Sequence, residues 1–250
     1  MVYRRGSHNG QGQYVPIMEP RHRRWTGQQI RQRAVAILRE EGITSLWFKI
    51  LSETVYRRAI VIEHRLGESI RDVASAVPFD FGLLTKADLE EYLSLRPEAD
   101  PSEIQARLDR GQLCFVTRHD GKLGTVNWVA PTTAWLNYLS LKIPLAPEEV
   151  YSYESFTASE LRGQNVAPAR SVLMLRYLEK LGCRRVIGVI IPDNTASLRY
   201  ARKSGYRPIG TMGYIKLGRW RYNFCRLRSG VTPLSRPQYA QRISPSSVVL

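Results

Sequence analysis

The chain has 250 residues, 43% hydrophobic and 24% charged, and carries a formal net charge of +15. That length and balance describe a globular protein with a substantial core and exclude a disordered or collagen-like chain. No apolar run reaches about 18 residues, which excludes a transmembrane helix, and the three cysteines and four histidines lack metal-ligand spacing, so no metal site is expected.

The N-terminus has no apolar signal core, and the odd, scattered Cys114, Cys183 and Cys225 fit a reducing compartment, so a cytoplasmic location is expected. The charge is unevenly spread. Asp193 is the last acidic residue, and residues 194–250 hold eleven Lys or Arg. Such a surface suits a phosphate-bearing cofactor, an anionic membrane or nucleic acid.

Residues 1–24, rich in Arg, Gly and Gln, read as a flexible basic arm. Ile30, Ala34, Ile37 and Leu38 then fall on one helical face, and Gly42 ends that helix. A second helix is expected over 44–58, with Leu46, Trp47, Ile50, Leu51, Val55 and Tyr56 as its apolar stripe. The β-branched run at 59–66 predicts a strand, and 68–77 a linker or short helix. Residues 25–77 thus form a helical extension with one strand.

A strand over 79–84 precedes a helix opened by the capping box Thr85-x-x-Asp88. A helix over 101–111 follows, with Ser102 at its cap and Gly111 at its end. Residues 112–130 form a hairpin around Asp120-Gly121, a strong turn signal. The prolines of 131–148 predict an irregular excursion, and 149–158 a strand. Val172, Leu175, Leu178 and Leu181 mark a helix over 166–181, which Gly182 ends. The near-continuous apolar run 184–191 suits a buried central strand. A helix over 195–204 and strands at 206–216 and 219–226 complete a domain spanning 78–228, and 229–250 is a Pro- and Ser-rich flexible tail. The order is that of an α/β fold with a mixed, mostly antiparallel central sheet flanked by helices.

The stretch "RGQNVAPARS" joins a strand to a helix. The first turn of that helix presents unpaired N–H groups and the positive end of the helix dipole, a setting that suits a pyrophosphate. Asn165 is both a good N-cap type and the non-glycine residue that best tolerates a positive φ, and Pro168 gives up an N–H without a helical partner.

Two motifs in this element order resemble the GCN5-related N-acetyltransferase superfamily. Its acyl-CoA loop reads Gln/Arg-x-x-Gly-x-Gly/Ala, and "RGQNVA" supplies Arg162, Asn165 and Ala167. The later "NTASLRYARKSGY" fits the family's Asn-x-x-Ser…Lys-x-Gly-aromatic pattern through Asn194, Ser197, Lys203, Gly205 and Tyr206. The resemblance spans residues 78–226.

It implies acyl transfer from acetyl-CoA or another acyl-CoA, without a metal, by direct attack of a primary amine on the thioester. The pyrophosphate would lie on backbone N–H groups of the loop Arg162, Gly163, Gln164, Asn165, Val166, Ala167 and Ala169. The pantetheine would follow the strand at Phe156 and Thr157, with Asn194, Ser197 and Lys203 opposite. Arg170 and Arg202 could add charge for the phosphates. Two positions depart from the family pattern. Asn165 stands where the loop's middle glycine is expected, and Ala201 where many members carry an acid tyrosine. Tyr200 lies one residue early, about 100° round the helix. It is the candidate acid, and Glu154, on the strand before the loop, is the candidate base, with Glu149 a weaker one.

Two alternatives stand beside this expectation. One is a same-fold transferase of longer acyl chains on a lipid or polysaccharide precursor, with residues 25–77 resting on an anionic membrane surface. The other is a non-catalytic basic module for nucleic acid, suggested by Ala201 and the acid-free C-terminal segment; nucleic acid is the least expected partner. The amine acceptor is unidentified, and a homodimer is open.

Overall fold

A computed structural model describes residues 55–228, all within one of the two units into which the chain divides, Ser52–Leu250. The basic arm, the helix from Thr26, most of the helix expected over 44–58 and the tail 229–250 lie outside the described residues.

Tyr56–Arg58, expected at the end of that second helix, are strand instead, the start of β1 (Tyr56–Arg65). This strand does not belong to a separate extension. It pairs antiparallel with β8 (Arg185–Ile190) along one side and with β9 (Arg207–Leu217) along the other. The sheet therefore begins well before residue 78. Periodicity recognises such a strand but not its partners, because those lie far along the chain.

β2 (Asp80–Leu83) leads to a 3₁₀ turn, Lys86–Asp88, where Thr85 N–H donates to Asp88 Oδ2 at 2.7 Å as the capping box requires. α1 (Leu89–Leu95) and α2 (Pro101–Asp109) follow. The cap of α2 is Asp100 rather than Ser102. Its Oδ1 accepts from Ser102 N–H at 2.9 Å, and Pro101 occupies the first helical position. β3 (Leu113–His119) and β4 (Lys122–Ala130) turn through Asp120 and Gly121, both at positive φ. Residues 131–148 are more ordered than their prolines suggest. β5 (Thr133–Leu136) and β6 (Leu141–Pro144) form a small hairpin sheet. Then come β7 (Glu149–Thr157), α3 (Val166–Lys180), β8, α4 (Thr195–Lys203), β9 and β10 (Trp220–Leu227).

The eight-stranded sheet has the order β10-β9-β1-β8-β7-β4-β3-β2, and all its pairs are antiparallel except β7 with β8. The expected mixed, mostly antiparallel sheet flanked by helices is thus present. On one face α3 and α4 bury Met174, Leu175, Leu178 and Ala201 against Phe115, Val129, Val150, Val186 and Ile190. On the other, α1 and α2 cover β3 and β4 through Tyr92, Ile104, Val116 and Trp128. The β5–β6 hairpin covers the remaining half, placing Leu136, Leu139, Leu141 and Ile143 over Ala59, Val61, Ile187 and Met212. β8 therefore buries side chains on both faces, which its unbroken apolar run requires.

The parallel ladder is short. It pairs Glu149–Ser152 with Arg185–Gly188 and stops, while β7 continues to Thr157. At the closed end Arg185 donates to Glu63 Oε2 at 2.7 Å and to Glu149 Oε1 at 2.8 Å, all three buried, which ties β1, β7 and β8 together. Glu149 is consumed there as a structural partner. Beyond Ser152 the edge of β7 that faces β8 is unpaired, which leaves a notch between the two strands.

Candidate active site

The notch is shaped by a β-bulge. Val126 pairs with Phe156 but Trp128 with Tyr153, so Glu154 and Ser155 together oppose Asn127. Glu154 takes the extra position at φ 46°. A regular strand would put Glu154 on one face with Ser152 and Phe156. The bulge instead turns Glu154 toward α2 and sends Ser155 to the α3 face with Ser152.

On the α2 side Arg107 grips both oxygens of Glu154, at 2.6 and 3.0 Å, and its guanidinium lies over the rings of Trp128 and Tyr153 at 5.3 and 5.4 Å. Burial, the largest single influence, disfavours the charge of Arg107, but the bond to Glu154, the charge of Glu154 and the neighbouring Tyr153 and Glu103 together outweigh it and raise the pKa. Tyr153 donates to Gln112 Oε1, and burial raises the pKa of its phenol. Glu154 is therefore a neutralised anchor of the bulge. To act as a base it would first have to release Arg107, which the expectation from spacing did not foresee.

On the α3 side the centre is Arg170, 0% exposed. It donates to the carbonyl of Val126 at 2.8 Å, to Asn127 Oδ1 at 3.2 Å and to Ser155 Oγ at 2.9 Å, and meets the Tyr200 hydroxyl at 3.4 Å. Asn127 donates in turn to Ser152 Oγ at 3.0 Å. Tyr206, 7% exposed, faces Ser171 and Ser152, yet its hydroxyl has no well-formed hydrogen bond. Burial, then the neighbouring Tyr200, pushes its pKa up. The mouth of the cluster is open, because Ser155 is exposed and Tyr200 half-buried. Arg170 thus does not reach toward CoA phosphates, as its charge alone suggested. It lies under the sheet. The signal was its spacing: Arg170 sits four residues after buried Val166 and four before buried Met174, a lone cation on the apolar face of a helix.

The phase of α4 settles which of two residues faces the notch. Ala201, 3% exposed, is packed in the core with Leu175 and Ile190, whereas the Tyr200 hydroxyl points to Arg170.

Above the cluster lies the loop. Asn165 occupies the left-handed region at φ 59°, and Gly163 at φ 83°. Asn165 stands at the N-cap position of α3 but makes no capping bond; its Oδ1 accepts from Lys203 Nζ at 2.7 Å, so α4 is latched to the start of α3. The capping half of the expectation for Asn165 fails, because a left-handed backbone turns the side chain away from the first turn. Val166 and Ala169 are buried and hold the turn down, while Ala167 is half-buried. The Gln164 carbonyl accepts from Ala76 N–H at 2.9 Å, so the linker before β2 braces the loop, and its side chain donates to Glu160. Arg162 donates to the Thr157 carbonyl at 3.2 Å and remains exposed. Phe156 carries its ring to the α1 side, under Arg96 at 4.7 Å, which leaves only its backbone for the notch. Asn194 caps α4 through Ser197 N–H at 3.0 Å. Lys203 is thereby joined to the loop and Tyr200 to Arg170, whereas Asn194 caps the opposite end of α4 and Glu154 is held on the α2 side by Arg107. Among the described residues no helix is long and apolar enough to cross a membrane.

No protein-family model and no curated protein matches the chain significantly. Several solved structures share features of the fold. A putative acetyltransferase of the GNAT family from Novosphingobium aromaticivorans is 15% identical with a TM-score of 0.46, over 64% of this chain and 63% of that one. A GCN5-related N-acetyltransferase from Sphaerobacter thermophilus is 14% identical with a TM-score of 0.47, over 68% and 55%. The aminoglycoside N-acetyltransferase AAC(6')-Iy, in complex with CoA, is 23% identical with a TM-score of 0.41, over 51% and 91%. The chain thus spans just under two thirds of the Novosphingobium protein.

Proposed function

We propose that the protein is an acyl-CoA-dependent N-acyltransferase. The observation that carries this reading is the edge of β7 beyond Ser152, which has no strand partner on the β8 side, is tied to α3 through Ser155 and Arg170, and leads into a turn that holds Asn165 at positive φ with Lys203 beside it. First-turn N–H groups, the helix dipole and Lys203 suit a pyrophosphate. The unpaired edge of β7 suits the amide groups of a pantetheine, which can add to it as a strand would. The paired loop and Asn-x-x-Ser motifs support the same ligand.

In this reading the thioester lies near Ser155 and the amine approaches along the α1–α2 side. The lone pair of the amine attacks the acyl carbon, the C–N bond forms, and the C–S bond breaks as the tetrahedral intermediate collapses. Positioning supplies most of the rate. The nitrogen gives its proton to water, and the Tyr200 hydroxyl, aimed into the notch, protonates the departing thiolate. Glu154 keeps its partner Arg107 and fixes the bulge. Acetyl-CoA is the simplest donor to test, and the acceptor is a primary amine.

The test is thermal unfolding with saturating CoA and acetyl-CoA, followed by thiol release with a panel of amines. Ligand at 100 times its Kd adds about 2.7 kcal/mol and raises the midpoint by several degrees. Tyr200→Phe is expected to lower kcat roughly tenfold or more with little change in Kd for CoA. An unmoved midpoint with both ligands would count against the whole reading.

A further inference from the structure

We propose that Arg170 makes the acyl end of the notch a site for a carboxylate, so that the preferred donor is the CoA thioester of a dicarboxylic acid, of malonyl or succinyl length. The inference rests on the acyl-CoA reading above and names its acyl class.

The starting point is an unbalanced charge. Arg170 is fully buried, and no carboxylate among the described residues lies within ion-pair distance of it. Glu154, next to Ser155 in sequence, is turned to the opposite face and held there by Arg107. The partners of Arg170 are a carbonyl, an amide oxygen and hydroxyls, all neutral. These satisfy N–H groups but leave the positive charge uncompensated, an arrangement whose desolvation cost is high unless an anion joins it. By contrast the other buried guanidinium among the described residues, Arg185, has two carboxylates. A core that needed only to fill the gap left by the bulge at Val126 could do so without a charge.

The cluster is also incomplete in its hydrogen bonds. Arg170 Nε is buried without a partner, and Ser171 Oγ and the Tyr206 hydroxyl, which face one another, make no well-formed hydrogen bond. Donors of this kind around a cation are what a carboxylate oxygen accepts from. Exposed Ser155 and half-buried Tyr200 form the rim; their hydroxyls cover Arg170, and an anion would reach the guanidinium by displacing them. An acyl group seated at Ser155 would direct its distal end past this rim. A methyl there leaves the guanidinium unpaired, whereas a terminal carboxylate meets it.

The test compares stable CoA thioethers by calorimetry, so that no acceptor is needed. S-ethyl-CoA and S-propyl-CoA are measured against S-(2-carboxyethyl)- and S-(3-carboxypropyl)-CoA. The full-length protein is expected to bind at least one carboxylated thioether tenfold or more tightly than its neutral counterpart. In Arg170→Met the ratio collapses to within about twofold, and Arg170→Lys keeps part of it. Should Arg170→Met fail to fold, Ser155→Asp places a carboxylate at the rim and is expected to abolish the preference. Equal binding of charged and neutral thioethers, or a preference that survives Arg170→Met or Ser155→Asp, would overturn the proposal while leaving the acyl-CoA reading intact. Failure of CoA and every thioether to bind would overturn both.

Discussion

Asn165 does with a side chain what a glycine does without one. Its φ of 59° costs an ordinary L-residue about 1–2 kcal/mol, and asparagine is among the few types that occupy this region readily. The residue type suited both a cap and a left-handed turn, and the structure keeps only the turn, with the amide spent on Lys203. Asn165→Val is therefore expected to weaken CoA binding tenfold or more, because a β-branched residue cannot hold the turn without distortion. Asn165→Gly, which frees the backbone but loses the Lys203 bond, should stay within a few fold. Calorimetry of CoA binding separates the two, and equal losses in both variants would show that the side chain, not φ, matters. Glu154 shows the opposite limit of legibility. Its residue type suggested a base, but its role depends on a bulge, and a bulge shifts parity without leaving a mark in the period-2 pattern.

Elements were readable where their signal is local. Asp120-Gly121 marked the β3–β4 hairpin, the Thr85–Asp88 box marked the entry to α1, and the spacing of Val172, Leu175 and Leu178 marked α3. The hairpin β5–β6 was not readable, since Pro131, Pro144 and Pro147 mask the buried alternation of Leu141 and Ile143 across Lys142. α2 gained a role that no local signal showed, because Arg107 reaches the bulge on β7 and stacks on Trp128 and Tyr153. Arg107→Ala removes a two-pronged charged bond and leaves a half-buried carboxylate at a strained position. A loss of about 2–3 kcal/mol is expected, read as a lowered midpoint in urea unfolding. Glu154→Gln keeps a hydrogen-bond acceptor and should cost less. If Glu154→Gln also retains kcat within a few fold, the anchor role holds. A loss of kcat of a hundredfold or more would restore Glu154 as the base.

At the scale of the whole molecule the central fact is the position of β1. A strand that precedes every other described element lies between β8 and β9, so the sheet closes only when residues from before position 67 join those from after 184. β1 also carries His64, 6% exposed, its Nδ1 unpartnered and its ring edge-on to Tyr206 at 5.6 Å. Burial lowers its pKa, against smaller upward effects of the Arg65 backbone and of Glu68 and Glu179. The folded protein therefore resists protonating His64, while the unfolded chain takes up that proton near pH 6.5. Stability should be full above that pH and fall as pH drops below it, by up to about 1.4 kcal/mol per pH unit for one proton. His64→Gln is expected to flatten this dependence between pH 7.5 and 5.5 in denaturant unfolding, and an unchanged slope would remove His64 from the account.

The resemblance carried by the two motifs begins only at residue 78, and a chain cut there tests what β1 contributes. Such a chain keeps the notch, the loop and both motifs, but loses Ala59, Val61 and Ile62 from the two main cores and leaves β8 and β9 without their shared neighbour. It also loses Glu63, one of the two carboxylates that balance buried Arg185, so the closed end of the notch is left with an under-compensated charge. Each bare strand edge then presents unpaired N–H and C=O groups beside apolar side chains, a template for association with other chains. Residues 78–250 alone are therefore expected to be aggregated or unfolded in size-exclusion chromatography and to show no CoA-dependent rise in melting temperature. Adding a synthetic peptide covering residues 55–67 should recover part of the soluble, CoA-binding protein, because strand addition repairs both edges at once. A monomeric 78–250 chain that binds CoA as tightly as the full-length protein would show that β9 and β10 can close on β8 by themselves, and that β1 is an addition to the sheet rather than part of its foundation.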